Sequence, residues 1–217
     1  MINQPENIRR IYEAFSAGLN SPEIVAYHGT SLSVLGRIVE TGLHMGSEKI
    51  NYRAGEIFVY PLEARAVVPF SMTMLTDEEA QEEAYWFARK NAMEHYLARK
   101  LGIDPFKATE DIFIKWYITC NVRLLRSVIH EVTGKESTYT ELCRLYDELK
   151  TKKGVILGYS QRVLDCGEPR YLTEENETPA VAVKNVDISS LVGIEPLDQE
   201  AYDYLSSLEV DVQCMAD

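Results

Sequence analysis

Long apolar runs are missing from this sequence: no stretch approaches the roughly 18 to 20 uninterrupted apolar residues that a membrane-spanning helix needs. The opening "MINQPENIRR" has no apolar core behind its charges, so the expectation is a chain made and folded in the cytoplasm, with no membrane partner. Cysteine is scarce and scattered. Cys120, Cys143, Cys166 and Cys214 form no C-x-x-C pair, which argues against a zinc knuckle or a disulfide scaffold and for buried or idle thiols. His28, His44, His95 and His130 show no H-E-x-x-H or other ligand spacing, so no metal is expected. Positive charge is also short, with 22 Lys and Arg against 34 Asp and Glu and a net charge of -12. Gripping nucleic-acid phosphate takes a clustered basic surface, so large nucleic acids are poor candidate partners. Internal repeats and low-complexity tracts are absent too.

What is present suffices for a core. With 217 residues, 46% of them hydrophobic and 26% charged, the chain fits one large domain or one domain carrying an insertion. "PENIRRIYEAFSAGL" places Ile8, Ile11, Tyr12 and Phe15 at helical spacing with Gly18 as a stop, predicting an opening amphipathic helix. Residues 24 to 27 read as a short buried strand, and "SLSVLGRIVETGL" as a helix with a hydroxyl at its start and Gly42 at its end. His28 and Gly29 then fall at the turn between them. Residues 44 to 55 read as a polar loop feeding the strand "EIFVY". Thr76 and Glu79 have capping-box spacing at the head of a long helix whose acidic residues come first and basic ones last, closed by Gly102. Two more helical patterns follow, one with Ile112, Trp116 and Cys120 in register and one with Leu142, Leu145 and Leu149, so residues from about 92 to 151 look like a helical block. Beyond it "GVILGY", "PAVAVKN" and "ISSLVGIEPL" are strand-like. The inferred architecture is α+β: a split β-sheet core with an N-terminal helix packed outside and a helical insertion.

A strand that ends in "YHGTS" and hands over to a helix makes a useful ligand corner. Glycine lets a planar ligand approach the backbone, so that N–H and C=O both engage an amide edge, while histidine can bond a sugar hydroxyl. The helix start adds a positive dipole end for anionic groups. The plainer reading is a tight turn with a histidine in it.

"YHGTS" followed by "VLGRIVETGL" resembles the opening of ADP-ribosyltransferase domains of the diphtheria-toxin-like class, which includes the poly(ADP-ribose) polymerases and small bacterial relatives. "GEIFVYP" looks like that family's glycine-led second strand, "EEAYWFARKNA" like its next helix, and "NETPAVAVKNVDISSLVGIEPL" like its closing segment. The likeness covers residues 24 to 60, 80 to 92 and 154 to 197. It implies an NAD site in which His28 bonds a ribose hydroxyl, Gly29 pairs with the nicotinamide carboxamide, and Thr30 or Ser31 adds a hydroxyl contact. The family's second-strand aromatic falls nearest Phe58, with Tyr60 two residues on, and its helix aromatic at Tyr85; these would stack on the nicotinamide ring.

Breaking the nicotinamide–ribose bond builds oxocarbenium character on the ribose, and a carboxylate near its 2′-hydroxyl stabilises that charge as it appears. Glu174, Glu175 and Glu177 precede the last long strand, and Glu177 is the favoured catalytic residue, with Glu168 outside that group. Arg37 and Arg53 are candidates for the pyrophosphate, surface solvation being the commoner fate of either. The expected function is a mono-ADP-ribosyltransferase that uses NAD as substrate and passes ADP-ribose to an acceptor, a protein or small molecule rather than a nucleic acid. The alternative is a catalytically inactive module that keeps the fold and docks a partner. Housekeeping enzyme, toxin and delivered effector read alike at this level.

Overall fold

The computed structural model describes residues 4–45, 57–63, 65–66, 74–104, 122–165, 167–171 and 179–214. Within them the chain is a mixed α+β protein in which every strand pairing is antiparallel. The elements run α1 (Gln4–Ala17), β1 (Ala26–Thr30), α2 (Leu32–Thr41), β2 (Leu43–Met45), β3 (Ile57–Pro61) and α3 (Asp77–Lys100). Then come α4 (Val122–Thr133), α5 (Tyr139–Lys150), β4 (Val155–Tyr159), α6 (Arg162–Asp165), β5 (Glu168–Tyr171), β6 (Pro179–Val183), β7 (Asn185–Asp187), β8 (Leu191–Pro196) and α7 (Gln199–Cys214). Six strands form one sheet in the order β5-β6-β3-β1-β4-β8, and β2 and β7 pair separately.

Local chemistry accounts for most of these boundaries. Thr76 and Glu79 form the capping box that starts α3, each satisfying a backbone N–H of the other. Thr138 and Glu141 repeat the device at the start of α5. Gly42 ends α2 in the left-handed region at φ 71°.

The pleat sends alternate residues of β1 to opposite faces of the sheet. On one face Tyr27 joins Tyr60, Ala80, Ala84 and Ile156 beneath α3. On the other, Ala26, Val59, Leu157 and Tyr159 meet α1, α2 and α7 in the main core. The second half of α3 leaves the sheet and shares a separate apolar cluster with α4 and α5, built on Leu97, Leu125, Val128, Leu142 and Leu149.

The structure departs from the sequence reading in several places. β1 extends through Thr30, because β4 pairs with it as far as Thr30↔Val155, so His28 and Gly29 lie inside a strand and the turn comes at Ser31. His44 belongs to β2 rather than to a loop. β5 and α7 are additional elements, the latter packed against α1 with Ala201, Leu205 and Leu208 buried. Ile112, Trp116 and Cys120 lie outside the described residues.

Candidate functional site

β1 is held unequally by its two neighbours. With β4 it keeps register over its whole length, from Ala26↔Tyr159 to Thr30↔Val155. With β3 it shares only Ala26↔Pro61 and Tyr27↔Tyr60, while β3 continues alongside β6 through Phe58↔Ala182 and Ile57↔Val183. The sheet therefore splits beyond Tyr27, with His28 and Gly29 on one lip and Phe58 on the other. Side chains reach the carbonyls at this opening. The His28 ring lies with Nδ1 2.7 Å from the Phe58 carbonyl oxygen, and the Asn91 amide donates to the Gly29 carbonyl at 3.2 Å.

A carbonyl can only accept, so Nδ1 of His28 carries the proton and Nε2 of the neutral ring is left as an acceptor. Burial lowers the His28 pKa to about 4, outweighing the Phe58 bond that favours the charged form. At neutral pH the ring is thus ready to accept a hydrogen bond from a hydroxyl.

Behind it stands a second histidine. The His44 ring lies 4.8 Å from the His28 ring, centroid to centroid, tilted by 58°. Its Nδ1 is 2.7 Å from the Tyr159 hydroxyl, and the two rings stack at 6.3 Å. Burial and the neighbouring His28 hold His44 well below the usual imidazole range, and burial pushes the Tyr159 phenol up. All three groups are therefore neutral at pH 7.

Other candidate residues are placed differently. Gly29 presents its α-carbon to α3 so closely that an added Cβ would lie 1.7 Å from the Ala84 carbonyl oxygen, so this glycine lets helix and strand touch. Thr30 and Ser31 are each 2% exposed. The Ser31 hydroxyl caps α2 by accepting from Val34 N–H and bonds His95 Nδ1 at 2.8 Å. Tyr60 is closed into the core, its ring 5.8 Å from Phe87. Phe58 and Tyr85 are half-buried, and the Arg89 guanidinium sits 5.7 Å from the Tyr85 ring. Phe58, Tyr60 and Tyr85 share the α3 face, whereas His28, offset by one residue from Tyr27, points to the opposite face. The structure joins His28 to the Phe58 backbone and to His44, and does not stack it with those three rings.

Glu168 is exposed at the start of β5, where it pairs with Ala182, itself the partner of Phe58. It lines a cleft of about 590 Å³ together with Arg162, Lys184, Asn185, Asp187 and Ser190. Arg37 is half-buried on α2. Glu174, Glu175, Glu177 and Arg53 lie outside the described residues. Among the described residues no cluster of three or more His, Cys, Asp and Glu could hold a metal ion, and no helix is long and apolar enough to cross a membrane.

Asn91, His44 and Tyr159 are the residues that sequence reasoning missed. Asn91 had a signal: Ala80, Ala84, Ala88 and Ala92 recur every four residues, the mark of a helix face pressed onto backbone, and Asn91 borders that stripe. The His44–Tyr159 bond joins residues 115 apart and left no local trace. No family model matches the chain, and no curated protein or solved structure matches it.

Proposed function

We propose that this chain is a mono-ADP-ribosyltransferase with an ADP-ribosyltransferase-like fold that binds NAD in the split between β1 and β3. The observation that carries this reading is the neutral His28, tied by Nδ1 to Phe58 on the far lip and keeping Nε2 as an acceptor. In the proposed complex the nicotinamide carboxamide lies along the Gly29 backbone, whose carbonyl has a second lone pair beside the one Asn91 uses. Nε2 of His28 accepts from a ribose hydroxyl. Stacking falls to Phe58 or Tyr85, which keep some exposed surface, rather than to Tyr60.

The chemistry is a substitution at the ribose anomeric carbon. The carbon–nitrogen bond breaks with its electron pair going to the nicotinamide ring, which leaves neutral. An acceptor nucleophile then bonds the carbon and gives up its proton. A carboxylate from Glu174, Glu175, Glu177 or Glu168 faces the ribose as positive charge develops there. The acceptor is a protein or small molecule in this reading, since a net charge of -12 repels polyanions.

A second reading, a binding module without transfer chemistry, draws on the placement of Tyr60 in the core and of the candidate aromatics on the face opposite His28. One experiment separates the two. Purified protein is incubated with NAD, and free nicotinamide is followed beside His28→Asn, whose amide can still donate to the Phe58 carbonyl but offers nothing at the Nε2 position. The transferase reading expects release above blank and a loss on the order of a hundredfold in the variant. Neither turnover nor an NAD-induced thermal shift in the wild type would leave the binding module as the better reading. Glu→Gln variants at 168, 174, 175 and 177 would then assign the carboxylate.

A further inference from the structure

We propose that His44 is a positioning residue for His28, fixing the orientation of its ring at the split, and that Tyr159 holds His44 in place. The role rests on the reading of His28 as the acceptor for a ribose hydroxyl. A single hydrogen bond from Nδ1 to the Phe58 carbonyl sets one edge of the His28 ring and leaves the opposite edge free to rock about that bond. A second contact is needed to hold it. The His44 ring supplies that contact at 4.8 Å, and it is itself anchored by the Tyr159 hydroxyl on β4, the strand in full register with β1.

β2 marks the arrangement as selected for something other than burial. Of its three residues, Leu43 and Met45 are 37% and 38% exposed while His44 is 4% exposed. This reverses the usual alternation, in which apolar residues face the core and polar ones face water. Slipping the strand by one residue would bury both apolar side chains and release the imidazole. The register is instead held as Leu43↔Asp187, His44↔Val186 and Met45↔Asn185, with the Ile188 N–H donating to the Gly42 carbonyl at 2.9 Å. A fold that breaks its own pattern rule at one residue, and turns that residue onto the candidate site, does so where function outweighs burial. The phenol is the stronger donor of the His44–Tyr159 pair, so Tyr159 donates to Nδ1 and the His44 proton sits on Nε2. His44 thus acts on His28 by packing and orientation, with no contact to substrate.

The test is the double variant His44→Leu/Tyr159→Phe. Removing both partners of a buried hydrogen bond in favour of apolar groups of similar shape is close to neutral for stability, so the melting temperature should match or exceed the wild type. A merely structural role for His44 would leave His28 unchanged. The expected result is different: the two ring nitrogens of His28, distinct in the 15N spectrum of the wild type as one protonated and one bare, move toward each other as the ring loses its fixed tautomer. NAD turnover should fall on the order of tenfold through kcat, with KM little altered, the scale of losing a group that orients a reactive imidazole. Unchanged His28 ring signals in the folded double variant would overturn the positioning role. The spectrum needs no NAD, so a wild type with neither turnover nor an NAD-induced thermal shift would sink the transferase reading while the ring signals still decide the role of His44. If the double variant does not fold, Tyr159→Phe alone is read in the same way.

Discussion

His28 and His44 sit in contact and are both easier to keep neutral than charged, which makes acid their natural antagonist. The unfolded chain protonates an imidazole near pH 6.5, whereas folded His28 does so at about 4, so between these values the unfolded state binds more protons. Stability is therefore complete above pH 6.5 and is lost as pH falls through that window, by at most about 1.4 kcal/mol per pH unit for each imidazole. The urea midpoint measured at pH 7, 6 and 5 should fall steadily, and His28→Asn should flatten part of the slope. A midpoint that stays level would contradict the neutral pair. Gly29 permits a second test at this scale. Gly29→Ala would drive a methyl into the Ala84 carbonyl, so α3 must lift from β1, at a cost of about 2–4 kcal/mol in denaturant unfolding. Much of the candidate site was legible in "YHGTS" because glycine and histidine announce close approach and ligand chemistry locally. His44 and Tyr159 were not, since their chemistry arises only when β2 and β4 are brought side by side.

Helix ends were the most readable elements, because a cap is a contract among residues three or four apart. The Thr76–Glu79 box stands where the spacing predicted it. Thr76→Ala should cost about 1 kcal/mol, a melting temperature lower by about 2–4 °C for a chain of this size, and Glu79→Ala should give a comparable loss, since each variant removes one of the two reciprocal caps and leaves the other. Strand extents were harder. β1 runs three residues past the apolar stretch that announced it, since pairing with β4, not side-chain polarity, decides where a strand ends. β2 has three residues and its polarity inverted, so no period-2 reading could find it. α7 did leave a trace: Ala201, Leu205 and Leu208 are helically spaced, and the Asp198 carboxylate caps the first turn at Ala201 N–H while also accepting from Lys153 and Gly154 N–H. What hid it was a polar, acidic sequence with no glycine or proline to mark its end.

At the scale of the molecule, the two apolar clusters of the sheet are separate from the one that α3, α4 and α5 share. The helical block should accordingly answer to its own mutations. Leu125→Ala, at a fully buried position of that cluster, should cost about 2–5 kcal/mol locally and speed amide hydrogen exchange in α4 and α5, while β1 and β4 amides keep their protection. Equal acceleration in both regions would mean a single cooperative unit. α3 is common to both, a 24-residue rod about 36 Å long, with Ala84, Ala88 and Asn91 against β1 and Met93, Leu97 and Ala98 in the helical block. Since no side chain on Gly29 cushions that contact, the rod bears on the strand as a lever bears on its fulcrum. Seated on β1 at Gly29 and sharing the apolar cluster of α4 and α5, α3 is an element through which the helical block touches the strand that carries His28.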